Sequence, residues 1–554
     1  MRNLHRALVC LAAALCAWTA VAARSAQPAK APVDVASIDA VFARWTPATP
    51  GCAVGIAEDG TPTFGKGYGS ADLEHDVPIT PESIFEAGSV SKQFTAAAVL
   101  LLAREGKLSI DDPVRKYIPE LPEYGQPLLI RHMLNHTSGL RDWGSVAAIA
   151  GWPRTTRVHT QAHVLDIVKR QKTLNFAPGT RWSYSNTGFN LAAIIVSRVS
   201  GQSFPEFTKE RIFTPLRMTH TSWRDDYTRI VKGRAIAYDE IDGVYHQDMP
   251  FEDVYGNGGL LTTVGDLLKW NENFTRPVVG DAAFVAEQQQ PGKFNDGRTH
   301  GYAFGLYVGA HAGLREVSHS GSTAGYSAFL TRYPDERVSV AVLCNVATDA
   351  TKIAHDVSDV YLAGRLKPSA PPKAARTLSN ADAEKIAGLY RNRLTGVPLT
   401  ITFENGALRA GRFGDLIPSA GARFTTTGEQ TWNFGAKGTL DVIDGFGTLD
   451  SYERVAAWTP VAHDLERYVG SYISDDAEAE LSAKVEDGHL VLKRRPDATL
   501  ALTPQYLDAF RTPSLGLVIF RRAASGAITG LSVVQDRVWN MPFRRVSDAT
   551  QARK

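Results

Sequence analysis

The sequence predicts an α+β domain followed by two all-β units, and three observations carry that expectation. Strand-like runs stand at both ends of residues 30–365 with helical patterns between them, so the terminal strands are expected in one sheet. A Pro-rich stretch then interrupts the chain. Beyond it the texture changes to short alternating runs separated by Gly, Asn and Asp turns, the pattern of small barrels.

The elements follow in order. Residues 1–22 combine Arg2 and Arg6, an apolar run from Ala7 to Ala22, and small residues at Ala20-Val21-Ala22. A charged start, apolar middle and small-residue end make a secretory signal peptide. The alternative, an uncleaved anchor, is disfavoured because the run is short and Ala-rich for a span of about 30 Å of hydrocarbon. The 554-residue chain carries 60 basic and 58 acidic residues, a net charge of +2. Loss of Arg2 and Arg6 with the leader brings it to zero. That balance excludes a strongly basic nucleic-acid binder, and no Lys/Arg cluster is interleaved with aromatics. With 44% hydrophobic and 21% charged residues, wholesale disorder is excluded too. The mature chain is expected in the periplasm or outside the cell, without stable membrane insertion. Nothing in the sequence sets an oligomeric state.

Cys10 and Cys16 fall in the leader, which leaves Cys52 and Cys344. After export these either pair under oxidising conditions or remain two isolated thiols, each buried in an apolar strand-like run. No CxxC or close His/Cys cluster exists, so no metal site is expected.

Residues 30–365 open with a strand at Cys52-Ala53-Val54-Gly55-Ile56, a turn at Glu58-Asp59-Gly60 and a second strand ending near Gly69. Phe94 to Arg104 and Leu191 to Val199 are helix-compatible. Strands return over 314–346, with Ala328-Phe329-Leu330, a turn at Pro334-Asp335-Glu336 and a run from Val338 to Leu343. Residues 366–380 contain Pro368, Pro371 and Pro372 and read as a linker. The tail divides into units at 381–460 and 461–550. Gly388, Tyr390, Gly406 and Leu408 recur at one offset as Gly470, Tyr472, Gly488 and Leu490, and both units end alike, in Tyr452-Glu453-Arg454-Val455 and Phe543-Arg544-Arg545-Val546. A single large barrel built from both halves is the alternative.

Three short patterns could carry chemistry. In Gly88-Ser89-Val90-Ser91-Lys92, at the entry to the Phe94 helix, Ser89 and Lys92 are three apart and share a helix face. A serine at a helix N-terminus is favoured as an alkoxide by the macrodipole. Alone, the spacing fits a capping Ser with a solvated Lys better. Trp182-Ser183-Tyr184-Ser185-Asn186 places a phenol and a carboxamide two apart, so both can point the same way from an extended loop. In His319-Ser320-Gly321, followed by Ser322, the glycine permits close backbone approach and a strand edge offers N–H groups.

Together, Ser89-x-x-Lys92, Tyr184-x-Asn186 and His319-x-Gly321 stand in the order and at the separations of the penicillin-recognising serine hydrolases. The chain resembles the class C β-lactamase-related branch, which includes penicillin-binding-protein-like peptidases. Asn135-His136-Thr137-Ser138-Gly139-Leu140, Gly258-Gly259-Leu260 with Asp266-Leu267, and Gly325-Tyr326 extend the likeness over most of residues 35–362. The resemblance implies a β-lactamase/transpeptidase-like domain, an antiparallel sheet with helices on its faces plus an all-helical region. The tail is similar to the lipocalin-like barrels of D-aminopeptidase-like relatives, which can reach over an active site.

The resemblance also implies roles. Ser89 would be the acylated nucleophile, and Lys92 and Tyr184 would share proton transfer, with either as base. Both pKa values must then fall, and a cation beside a phenol lowers the phenol's. Asn186 would hold the substrate amide or the Lys92 ammonium. The Ser89 and Ser322 amides would form an oxyanion hole, with His319 and Gly321 on the opposite wall. Where efficient β-lactamases carry Lys, this chain has His319, mostly neutral at pH 7. The implied activity is therefore that of a D-amino-acid peptidase or carboxylesterase acting on a small peptide, amide or ester without a cofactor. A β-lactamase, a D,D-carboxypeptidase and a non-catalytic envelope protein are the alternatives. A metal hydrolase is the remaining rival, since His159 and His163, and His132 and His136, stand four apart, but Thr160 and Met133 occupy the positions where a zincin needs Glu. Pocket shape would depend on residues 141–175 and 222–257, whose Trp143, Trp152, Trp223 and Tyr255 are expected mostly to pack.

Overall fold

The structure, a computed structural model, describes residues 33–546 apart from 155, 368–372, 421 and 429. The leader expected at 1–22 and the prolines at 368, 371 and 372 lie outside the described residues.

Apolar β-branched runs build a six-stranded antiparallel sheet. Its strands are Cys52–Glu58 (β1), Thr61–Tyr68 (β2), Tyr307–His311 (β3), Leu314–Thr323 (β4), Tyr326–Tyr333 (β5) and Val338–Cys344 (β6), in the order β3-β4-β5-β6-β1-β2. As expected, strands from the two ends of the domain are neighbours: β1 pairs with β6, Cys52 opposite Cys344 and Ile56 opposite Val340. Every residue of β1 is buried, because both sheet faces are covered. Cys52, Val54 and Ile56 face Ile38 of helix α1 (Val35–Val41) and, with Val340 and Val342, the helix that closes the domain. Ala53 and Ala57 face the main core, which is built on helix α2 (Lys92–Arg104). The all-helical region adds α3 (Trp143–Ile149), α4 (Gln161–Arg170) and α5 (Asn186–Ser200). Val264–Glu272 (α6) packs on β1, and Gly55 permits it, since a Cβ there would stand 3.0 Å from Leu268. Ala350–Tyr361 (α7) closes the opposite face.

Cys52 and Cys344 form a disulfide, which decides between the two states left open by the sequence. Directly opposed positions on neighbouring strands bring the side chains together. The bond closes a loop of 292 residues, so replacing both cysteines by Ala is expected to cost about 2–4 kcal/mol. Urea unfolding of wild-type and double-Ala protein, with and without reductant, measures it. Coincident midpoints for oxidised wild type and the variant would contradict the expectation.

The tail forms two separate sheets rather than one large barrel. The first is a closed eight-stranded barrel from Gly388–Asn392 to Leu449–Val455. The second has nine strands, from Gly470–Ser474 to Val538–Arg545, and is open only between Ala498–Ala501 and Thr503–Tyr506. The internal repeat has a structural meaning. The Tyr390 hydroxyl donates to the Ile386 carbonyl and that of Tyr472 to the Tyr468 carbonyl, each at 2.7 Å. Arg454 and Arg545, on the last strand of each unit, lie over Gly388 and Gly470 and donate to the carbonyls of Ala387 and Val469. Each unit therefore opens on a strand that its own last strand covers and pairs with. The first barrel has its own core around Trp432, whereas the second unit's apolar residues join the core of the α+β domain.

Candidate active site

Gly88–Ser91 forms a 3₁₀ turn that runs into α2, which sets Ser89 at the helix entry. Strand β4 lies against this turn, and two glycines allow it. A Cβ on Gly88 would stand 2.6 Å from the Ser322 nitrogen, and one on Gly321 would stand 2.0 Å from the Ala87 carbonyl oxygen. Gly88 also has φ of +50°, a region that favours glycine. Ser89 and Ser322 consequently line one cavity.

Lys92 is fully buried, and its Nζ lies 2.9 Å from Ser89 Oγ, 2.9 Å from Asn186 Oδ1 and 2.6 Å from the Asn257 carbonyl. The Tyr184 hydroxyl lies 2.8 Å from Ser89 Oγ. Tyr184 comes from the loop before α5, and Asn186 is the first residue of that helix. The Asn186 amide donates to Asp142 Oδ2 at 2.9 Å, which ties the loop to the N-cap of α3. His136 completes the support. Its ring packs 4.1 Å from that of Tyr184, and its Nδ1 accepts from the Ser185 amide at 3.2 Å.

Burial sets the protonation states in opposite directions. Desolvation, reinforced by the charge of Arg537, holds the Lys92 ammonium well below the usual lysine range. Desolvation also pushes the Tyr184 phenol up, and the nearby Tyr307 adds to it. This corrects the expectation that both pKa values fall: burial disfavours whichever form is charged, and for the phenol it outweighs the cation beside it. A neutral amine fits the geometry, because two N–H groups satisfy Asn186 and Asn257 while the lone pair faces the Ser89 hydroxyl.

His319 lies on the far wall, 1% exposed, with both ring nitrogens engaged inside the protein. Nδ1 donates to the Ser320 carbonyl at 2.6 Å and Nε2 accepts from the Tyr302 hydroxyl at 2.8 Å. Desolvation pulls its pKa to about 3, so the ring is neutral.

Ser89, Tyr184, Asn186, His319, Gly321 and Ser322 line a cavity of about 520 Å³. Among the other lining residues, Arg154, Asn257, Tyr307 and Arg537 carried no sequence signal. Arg537 sits at the tip of the hairpin between Ile528–Gln535 and Val538–Arg545 of the second β-unit. Its guanidinium carbon is 4.6 Å from the Tyr184 ring centre. The first barrel reaches the cleft rim as well, where Phe446 stacks on Trp182 at 4.0 Å and 8°. Trp143 and Trp223 are buried in the core, as expected. His132 and His163 each accept the N-cap amide of a short helix, through Nδ1 at 3.2 Å from Leu129 and Thr160. Beneath the cavity, Arg224 grips Glu86 at 2.8 and 3.0 Å, both fully buried, and Glu86 Oε1 accepts from the Gly259 amide at 3.1 Å. That pair anchors the turn whose Asn257 carbonyl holds Lys92.

Fold and site define a penicillin-recognising type of serine hydrolase, and comparison with known proteins agrees. The Beta-lactamase family model matches residues 38–361, and the chain belongs to that family as a serine hydrolase. It is similar to a D-aminopeptidase of Brucella melitensis biotype 1, 26% identical over 506 residues, which cover 87% of this chain and 93% of that protein. Penicillin-binding protein 4* of Bacillus subtilis is 31% identical over 312 residues, covering 53% of this chain and 67% of that one. Among solved structures, the octameric penicillin-binding protein homologue from Pyrococcus abyssi aligns with a TM-score of 0.54 at 26% identity, covering 76% of this chain and all of that chain.

Proposed function

We propose that this chain is an exported serine hydrolase that opens an amide or peptide bond, or an ester, through an acyl-Ser89 intermediate, in the manner of a D-amino-acid peptidase or carboxylesterase. The observation that carries it is the hydrogen-bonded series Tyr184 hydroxyl, Ser89 Oγ, Lys92 Nζ, at 2.8 and 2.9 Å, in a polar cavity. The likeness to a D-aminopeptidase along most of both chains supports the D-amino-acid class.

In this reading Ser89 Oγ attacks the substrate carbonyl carbon and its proton passes to the neutral Lys92 amine. The amides of Ser89 and Ser322 stabilise the resulting oxyanion. The intermediate collapses with cleavage of the C–N bond, and the leaving nitrogen takes the Tyr184 proton. Lys92 returns its proton to the phenolate, so both groups regain their starting states. Water then attacks the acyl-Ser89 ester, gives up a proton through Lys92, and the acid and free Ser89 result.

Export is supported by the leader pattern of residues 1–22 and by the Cys52–Cys344 disulfide, a bond that persists in oxidising compartments. Among the described residues no helix is long and apolar enough to cross a membrane. The proposed organisation is a leader at 1–22, a hydrolase domain at 30–365, a linker at 366–380, and β-units at 381–460 and 461–550. The test is labelling by a fluorophosphonate and by a fluorescent penicillin, in wild type and Ser89→Ala. Labelling of wild type alone is expected, and equal labelling of both overturns the proposal.

A further inference from the structure

The cleft contains a cation that the proton transfers above leave unused. Of the charged residues lining the cavity, Arg154 is bound to the buried Glu252 through Nε at 2.8 Å, and Asp349 caps α7 by accepting from the Lys352 amide at 2.9 Å. Arg537 has no ion pair among the described residues, and its neighbour Asp536 pairs outward with Arg412. The other basic groups at the site are engaged: Lys92 Nζ lies against Ser89 Oγ, Asn186 Oδ1 and the Asn257 carbonyl, and the His319 ring is committed at both nitrogens. Arg537 thus brings a positive charge that no carboxylate among the described residues takes up to the cavity that Ser89 lines.

The hairpin that carries Arg537 is held rather than loosely laid across the opening. The Arg537 carbonyl accepts from the Asp142 amide at 3.2 Å and from Asn175 Nδ2 at 3.1 Å. Asn175 Oδ1 in turn accepts from the Trp539 amide at 2.8 Å, and Arg141 Nη2 donates to the Trp539 carbonyl at 3.3 Å. The backbone on both sides of Arg537 is therefore fixed to the same α+β domain that holds Ser89. A guanidinium placed in advance loses less freedom on binding an anion than a free side chain would. It is also planar, and matches the two oxygens of a carboxylate.

From these contacts we infer that Arg537 is a specificity-determining residue that binds a carboxylate on the substrate's leaving group. Its place above the Tyr184 ring puts it on the side from which the leaving nitrogen takes its proton. The substrate class is then a short peptide whose scissile amide is followed by a free C-terminal carboxylate. This rests on the acyl-Ser89 reading for the direction of departure, while the binding preference itself is measurable without turnover.

The test uses full-length Ser89→Ala protein, which cannot acylate, titrated with matched pairs of D-alanyl and D-phenylalanyl dipeptides as free acids and as C-terminal amides. The acids are expected to bind about tenfold or more tightly than the amides. Adding Arg537→Gln should bring the two within about twofold, Arg537→Lys should keep part of the preference, and Arg537→Glu should reverse it. Unfolding midpoints of each variant confirm that the hairpin remains docked. Equal binding of acid and amide, absence of binding by either member of every pair, or a preference that survives Arg537→Gln overturns the inference. Failure of the hydrolase reading shows separately, as absence of Ser89-dependent labelling in wild type.

Discussion

Replacing Lys92 by Met lowers the rate of Ser89 labelling by about 10³-fold or more while the chain stays folded, because the amine 2.9 Å from Oγ is removed. Met preserves the length and the packing against Tyr184 and Phe189, over whose rings Lys92 Nζ lies at 4.8 and 5.6 Å. It leaves the acceptors on Asn186 and Asn257 without their donor, a cost of about 1–3 kcal/mol for each buried group. Against that cost, the variant no longer buries an amine. The pH dependence gives an independent check, with a definite sign. Lys92 works as a base only when deprotonated, and burial depresses its pKa, so kcat/KM rises with pH through a value well below the ordinary lysine range and then levels off. Tyr184 works as an acid only when protonated, and burial raises its pKa, so the alkaline fall comes above the ordinary tyrosine range. Activity that keeps climbing to pH 10 and beyond would mean an unperturbed lysine and would remove Lys92 from the role of base.

How much of this was legible in the sequence depends on whether the signal was local. The strands of β1 and β6 and the helices α2 and α5 show in their apolar runs, and the sheet joining the two ends of the domain follows from them. The short motifs name Ser89, Lys92, Tyr184, Asn186 and His319; the fold brings four of them to the lining of one cavity and sets the buried Lys92 2.9 Å from Ser89 Oγ. What the sequence does not carry is anything set by docking or by depth. The Cys52–Cys344 bond depends on strand register across 292 residues. The opposite pKa directions of Lys92 and Tyr184 depend on how deeply the loop before α5 is covered. Arg537 lies in an ordinary Asp-Arg hairpin tip, Gln535-Asp536-Arg537-Val538, and only the packing of the second β-unit against Asp142 and Asn175 brings it to the cleft. The repeat of Gly388-x-Tyr390 at Gly470-x-Tyr472 was visible as letters, but its meaning needs the last strand of each unit, with Arg454 and Arg545 lying over the glycines.

Gly321→Ala is expected to lower activity and stability together. The added Cβ would stand 2.0 Å from the Ala87 carbonyl oxygen and 3.1 Å from the Ser89 nitrogen, both backbone atoms that no rotamer change relieves. Strand β4 or the Gly88–Ser91 turn must therefore shift by about an ångström, and the Ser89 and Ser322 amides move apart. A misplacement of that size lowers rates by about 10²-fold, so labelling of Ser89 by the fluorophosphonate should slow by that factor. Gly321 is not in the left-handed region, unlike Gly88 at +50°, so Ala suits its backbone there and lowers the conformational freedom of the unfolded chain. That gain offsets only part of the cost of moving backbone, so the unfolding midpoint should fall as well. Gly88→Ala adds backbone strain to a clash of its own, 2.6 Å from the Ser322 nitrogen, and should lose more stability still. Wild-type labelling by Gly321→Ala would show that the close approach of β4 to Ser89 is packing alone, and would take Ser322 out of the oxyanion hole.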